Sequence, residues 1–224
     1  MPEGPSIILV KEATAKFVGK KITAVDGNSK IDQCRLLDKK VLEFRSWGKH
    51  FLICFEGLTL KIHFLMFGSY TIDEPKPDRA IRLHLKFKKG DIYFYACSVK
   101  YLEGDINQHY DWSTDVMNEN WDKKKTKKKL KEVPEDLICD VLLDQDIFAG
   151  SGNIIKNEVL FRIRLHPLSK LAFEAQRAPR LVPQRRQRLG EVDHPDPPGG
   201  ECVGGAGGRL ADRHGRGRGR RRRG

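Results

Sequence analysis

Residues 142–167 read "LLDQDIFAGSGNIIKNEVLFRIRLHP". Apolar residues recur at helical spacing on both sides of a turn-rich break, "DQDIFAGSG". Upstream, Leu137, Ile138, Val141 and Leu142 share a face; downstream, Ile154, Ile155, Val159, Leu160 and Ile163 repeat the spacing. Two helices joined by a glycine-containing turn are a helix-turn-helix in outline. Within "GSGN", Gly150 and Gly152 let backbone N–H groups approach a phosphate at a helix N-terminus, where the dipole favours anions. Asn153 stands where it can cap the helix or donate to a phosphate.

Working outward toward the N-terminus, the pattern changes. Residues 107–122 are polar and aromatic without periodicity, and the run "KKKTKKKLK" follows them as a connector. From Lys20 to about Glu103 the chain falls into short runs rich in β-branched and aromatic residues: "KITAV", "KKVLEFRSW", "KHFLICF", "LTLKIHF", "GSYTI", "IRLHLKF" and "DIYFYAC". "FEGL" and "KKGD" separate such runs as hairpin turns. Before them, residues 5–18 place Ile8, Val10, Ala13, Ala15, Phe17 and Val18 on an imperfect helical stripe closed by Gly19. The sequence therefore predicts an α+β protein. A leading helix and an antiparallel β-sandwich domain occupy 1–119, a basic linker 120–132 and the helical domain 133–171.

Beyond that, residues 172–224 are dominated by Arg, Gly and Pro, with Phe173 as the last aromatic residue. Such a stretch cannot bury enough apolar surface to offset ordering entropy, so a disordered tail is expected. Residues 1–170 carry a net charge of +5 and use mostly lysine, whereas residues 171–224 carry +7 and use arginine alone as their basic residue. The abrupt change is read as the product of a shifted reading frame. The total of +12 points to a polyanionic partner, most often nucleic acid. No apolar stretch reaches membrane-spanning length and no signal-peptide block opens the chain, so a cytoplasmic location without membrane association is expected. The five cysteines are scattered singly, which supports neither a disulfide framework nor a metal site, and no cofactor is expected.

The chain opens "MPEGPS". Once Met1 is removed, Pro2 carries a secondary amine able to form a charged iminium with a sugar aldehyde carbon. An α-amino group titrates near pH 8, so a useful neutral fraction exists at physiological pH. Glu3 beside it is placed to move protons. Farther on, "HFLMFGSY" at 63–70 sets Leu65, Met66 and Phe67 in succession, and three consecutive large apolar residues cannot all point inward from a strand.

"MPEGP", "WGKH" at 47–50 and the stretch 142–167 together resemble the formamidopyrimidine-DNA glycosylase and endonuclease VIII family of base-excision repair enzymes. The third stretch is similar to the family's helix-two-turn-helix signature. The resemblance covers about residues 1–170 and implies a sandwich, a helical domain and a DNA-binding cleft between them. It implies Pro2 as the nucleophile at C1′, Glu3 as the catalytic carboxylate, and Lys49 as a strand-borne contact to the phosphate beside the lesion. It implies Leu65, Met66 and Phe67 as the wedge that fills the gap left by an extruded base, with Met66 foremost, and Gly152 and Asn153 as DNA contacts. The consecutive wedge residues resemble the endonuclease VIII branch, and "KYLEGD" at 100–105 lacks the Arg-Phe loop of the other. Two departures stand out: Ser6 replaces the family's usual glutamate, and no C-terminal zinc finger or zincless substitute is recognisable. The activity implied is a DNA glycosylase with β,δ-eliminating lyase chemistry on oxidised bases, acting on damaged DNA as a monomeric bacterial protein. A non-catalytic DNA-binding module, or an RNA-binding protein using the Arg/Gly tail, are the competing readings.

Overall fold

In the computed structural model, residues 2–172 are described, and the tail expected to be disordered lies outside them from residue 173 onward. Helix α1 spans Gly4–Thr14 and ends in a 3-10 turn at Ala15–Phe17. Eight strands follow: β1 Ile22–Asp26, β2 Glu43–Trp47, β3 His50–Phe55, β4 Leu58–His63, β5 Ser69–Ile72, β6 Ile81–Phe87, β7 Asp91–Tyr95 and β8 Ser98–Glu103. They form two antiparallel four-stranded sheets, ordered β1-β6-β7-β5 and β2-β3-β4-β8. The α+β reading is thus met, with a sandwich behind a leading helix. The two anticipated hairpins turn at Gly57 (φ +69°) and Gly90 (φ +95°), where a side chain would be strained.

One core lies between the sheets, built from Phe51, Ile53 and Leu60 on one side and Leu83, Ile92 and Phe94 on the other. The strand β3 is buried on both faces, which explains its unbroken apolar run. Its alternate residues Leu52 and Cys54 meet Ile106 and Tyr110 in a second cluster, completed by Trp47, Leu102 and Trp112. The segment expected to be irregular forms that cover. It makes 3-10 turns at Ile106–Gln108 and Trp112–Thr114, each opened by an aspartate whose side chain accepts a backbone N–H. Trp47 Nε1 donates to the Asp111 carbonyl at 2.9 Å, pinning the cover to β2.

Three sequence readings need correction. The buried stripe of α1 and its 3-10 extension is Ile7, Val10, Thr14 and Phe17, while Ala13, Ala15 and Val18 are exposed. Thr14 joins the core because its hydroxyl donates to the Val10 carbonyl (2.8 Å), which neutralises its polarity. Strand β8 is absent from the runs read as strands because "SVKYLE" is half polar; Val99 and Tyr101 nevertheless pack on the core while Lys100 faces away.

The helical region departs furthest. Helix α2 covers the lysine run at Lys123–Glu132, α3 is a single turn at Ile138–Val141, and α4 spans Asn153–Ile163. Of the apolar residues expected to share one face of α4, Leu160 alone is fully buried. Ile154 is 69% and Ile163 50% exposed, and neighbouring Phe161 is 79% exposed. Apolar spacing marks a helix, but it does not say which neighbour arrives to cover it.

Candidate active site

Three backbones meet without side chains between them. The Gly4 N–H donates to the Gly150 carbonyl at 2.9 Å, joining the start of α1 to the turn between α3 and α4. Gly48, in the β2–β3 turn at φ +54°, lies so close that an added Cβ would sit 3.0 Å from the Gly150 nitrogen. A Cβ on Gly4 would come within 2.9 Å of the Met117 side chain. The opening motif, the "WGKH" turn and the helix-turn-helix signature are therefore parts of one assembly.

At its centre Glu3 is 4% exposed. Its Oε1 accepts the N–H of Ile154 at 2.8 Å and its Oε2 that of Ile155 at 3.1 Å, so a residue 151 positions away caps α4. The helix has no cap from its own N-cap residue, Gly152. The open donors at a helix N-terminus and the positive end of its dipole both favour a carboxylate there. Gly152 makes this approach possible: a Cβ on it would lie 2.4 Å from Glu3 Oε1.

Two of the N–H groups at the start of this helix, those of Ile154 and Ile155, are therefore held by Glu3. Gly152 supplies space for that carboxylate. Asn153 is not the cap but the first helical residue, exposed, with its Oδ1 accepting from Lys156 Nζ at 3.1 Å. A carboxylate that can occupy both donor N–H groups outcompetes a side-chain amide that would have to leave the helix to cap it.

Lys49 follows Gly48 and is half-buried. Burial holds its ammonium below the ordinary lysine value, and the nearby Glu3 carboxylate opposes part of that shift. Lys49 makes no ion pair within 4 Å among the described residues. Sequence reading missed its basic neighbours. His50 pairs with His63 across β3 and β4, and Lys61 with Lys100 across β4 and β8. Burial lowers the His63 pKa first, with Lys49 and Lys61 adding to the effect. Burial also pushes His50 down to about 4, with Lys61 and His63 contributing. Strand register decides which of these residues face one another, and no local signal in the sequence states it.

Pro2 is half-buried and lines a cavity of about 230 Å³ with Ser6, Val10, Phe64, Gly68, Ser69 and Tyr70. Phe64 and Gly68 are the two ends of the turn carrying Leu65, Met66 and Phe67. The Gly68 N–H donates to the Phe64 carbonyl at 2.7 Å, and a Cβ on Gly68 would lie 2.0 Å from that oxygen. Leu65 takes a positive φ of 52°, and the turn presents Leu65, Met66 (65%) and Phe67 (76%) to solvent. All three point outward, rooted beside Pro2.

Asp115 is the other residue the sequence did not single out. It is 2% exposed, and its carboxylate accepts the backbone N–H groups of Met117 (3.0 Å) and Gly48. Burial raises its pKa and those two donors oppose the rise. Its backbone also bridges to Ala149, so it ties the Lys49 turn to the α3–α4 turn. Aspartates are common enough in polar loops that spacing alone could not mark this one.

Comparison with known proteins agrees with this geometry. Residues 1–98 match the formamidopyrimidine-DNA glycosylase N-terminal domain. Endonuclease 8-like 3 of Mus musculus is 32% identical over 131 residues, covering 55% of this chain and 22% of the mouse protein. The formamidopyrimidine-DNA glycosylase of Carboxydothermus hydrogenoformans is 28% identical over 178 residues, covering 75% of this chain and 67% of that one. Among solved structures, Lactococcus lactis Fpg in complex with DNA containing an abasic site superposes with a TM-score of 0.66 at 22% identity, covering 76% of this chain and 70% of that one. A viral DNA glycosylase superposes at 0.64 and 20% identity, covering 76% and 73%. At such identities these superpositions establish the fold. The protein is thus an α+β chain opening with a formamidopyrimidine-DNA glycosylase N-terminal domain. Its residues 1–98 are similar to that domain, and the chain resembles both formamidopyrimidine-DNA glycosylase and endonuclease 8-like proteins. It spans about a fifth of the length of the endonuclease 8-like 3 proteins that it matches.

Proposed function

We propose that the protein is a base-excision DNA glycosylase with lyase activity toward oxidised bases in damaged DNA, using the amine of Pro2 after removal of Met1. The observation that carries this reading is the placement of Glu3. A buried carboxylate fixed by two helix N–H groups sits directly beside Pro2, on the assembly that also holds Lys49. Proximity of this kind supplies orientation that a free carboxylate lacks.

In the proposed sequence the neutral Pro2 nitrogen attacks C1′ of the damaged nucleotide. The base departs with the glycosidic electron pair, and the Glu3 carboxylate takes the proton that the attacking nitrogen now carries. Glu3 then passes that proton to the sugar ring oxygen as the C1′–O4′ bond breaks, and the freed nitrogen lone pair closes onto C1′ to give an iminium cation, which the Glu3 carboxylate stabilises. Loss of a proton from C2′ then expels the 3′ phosphate by β-elimination, and a second elimination expels the 5′ phosphate. Lys49, without an ion pair within 4 Å among the described residues, is proposed to hold the phosphate beside the lesion. Leu65, Met66 and Phe67 are proposed to enter the duplex and offset the few kcal/mol cost of base extrusion.

Borohydride reduction on DNA bearing an abasic site tests the reading. A covalent protein–DNA adduct is expected, because reduction fixes an iminium. Absence of any adduct from a folded protein that lacks Met1 and binds the DNA would overturn it.

A further inference from the structure

The lysine run 123–131 forms a helix with an ordered surface. Asp122 caps α2 by accepting the N–H groups of Lys124 (2.8 Å) and Lys125 (3.2 Å). The inner face is fastened down: Thr126 is buried, Lys125 Nζ meets Asp111 at 2.6 Å, and Lys129 Nζ donates to the Asp146 carbonyl. The opposite face carries Lys124, Lys127, Lys128 and Lys131, all exposed. Their spacing of i, i+3, i+4 and i+7 puts them on a single stripe. None of the four pairs with an acid within 4 Å among the described residues.

This arrangement works against the helix that bears it. Like charges at i, i+3 and i, i+4 repel, and lysines in a first turn without acidic residues oppose the dipole. A polyanion laid along the stripe reverses both effects. From Lys124 to Lys131 the helix rises about 10 Å, the length of about three phosphates along one DNA strand.

We infer that this face of α2 is a second docking strip for the phosphate backbone of duplex DNA, independent of sequence and outside the catalytic assembly. The inference rests on the proposed DNA substrate. DNA is favoured over other polyanions because Lys129 fixes α2 to Asp146, in the turn that carries Gly150 and meets Gly4 and Gly48.

The test is a salt titration of binding to undamaged duplex DNA between about 50 and 200 mM, which requires no chemistry. The full chain would be compared with the quadruple variant K124Q/K127Q/K128Q/K131Q and its all-arginine counterpart. Each phosphate contact contributes about 0.9 to the slope of log affinity against log salt, so the glutamine variant, losing contacts to about three phosphates, should lose about 2.7 of that slope. The arginine variant should keep the parent's slope. The single variant Lys128→Gln, with a loss of about 0.9, decides the matter if the quadruple variant misfolds. An unchanged slope in a folded glutamine variant would overturn the inference. So would a glutamine variant that keeps its DNA slope but loses binding to phosphatidylserine vesicles, since the strip would then serve a membrane surface. Failed borohydride trapping would leave a lowered slope standing, and an unchanged slope would leave trapping untouched.

Discussion

The sandwich and the helical region are held together by different forces. Between the sheets, large side chains such as Phe51, Phe94 and Leu60 are fully buried, and stability is spread over many contacts. Helix α4 instead buries only Leu160 completely and is anchored at its first turn, by a carboxylate from the other end of the chain. The difference teaches that the candidate catalytic group also serves as a structural joint. Disturbing the Glu3 contact should damage chemistry and the seating of α4 together, whereas disturbing the sandwich surface should affect one property at a time.

The strongest way to break the comparison is Gly152→Val. Its Cβ alone would lie within 2.7 Å of three Glu3 atoms, so either the carboxylate or α4 must move. Excision should fall by more than roughly 10⁴-fold, the upper range for a lost general acid or base, because positioning is lost with it. Thermal melting should also drop, by an amount matching about 2 kcal/mol or more. Near-normal excision would show that the Glu3–α4 contact is not required.

Glu3→Gln separates the two roles. An amide accepts one helix N–H but faces the other with its own donor, so about 1 kcal/mol of capping should be lost. Excision of an intact damaged base should fall by roughly 10²–10⁴-fold, while DNA affinity changes little. An equal loss of affinity and excision would make Glu3 purely structural.

The third case lies on the sandwich. His50 is held neutral, with its pKa pushed down to about 4 by burial foremost. An unfolded histidine titrates near 6.5, so between about pH 6.5 and 4 the unfolded chain binds a proton that the folded chain refuses. The stabilisation from neutral His50 is therefore complete above about pH 6.5 and is lost as pH falls through that window. Denaturant unfolding of the parent and His50→Phe should show the parent losing up to about 3 kcal/mol more than the variant between pH 7 and 4. Parallel stability profiles would contradict this assignment.

The smallest effect is expected at the wedge turn. Met66→Ala should lower excision from duplex DNA by about tenfold through lost help in base extrusion, and leave single-stranded substrate unaffected. Because Met66 is exposed, stability should stay within about 0.5 kcal/mol. Equal losses on both substrates would remove the wedge role.

The legible parts of the molecule were those written in local pattern. The strands from β1 to β7, the glycine hairpins, the break at residues 144–152 and the outward turn at Leu65–Phe67 all followed from periodicity and glycine placement. The capping of α4 by Glu3 was not legible. It joins positions 3 and 154, and the glycine that permits it looks like any turn glycine until its distance to Glu3 is known. Asn153 misled for the same reason: its type suits a cap, but a distant competitor took the donors. The basic neighbours of Lys49 depended on register, and Asp115 on a fold-wide contact to Gly48.

The most direct measurement of the central claim is the site of covalent attachment. After borohydride trapping on abasic-site DNA and digestion with trypsin, the DNA remnant should be found by mass spectrometry on the N-terminal peptide ending at Lys11, attached to the nitrogen of Pro2. A remnant on Lys49 or another lysine, with the Pro2 peptide unmodified, would contradict the account.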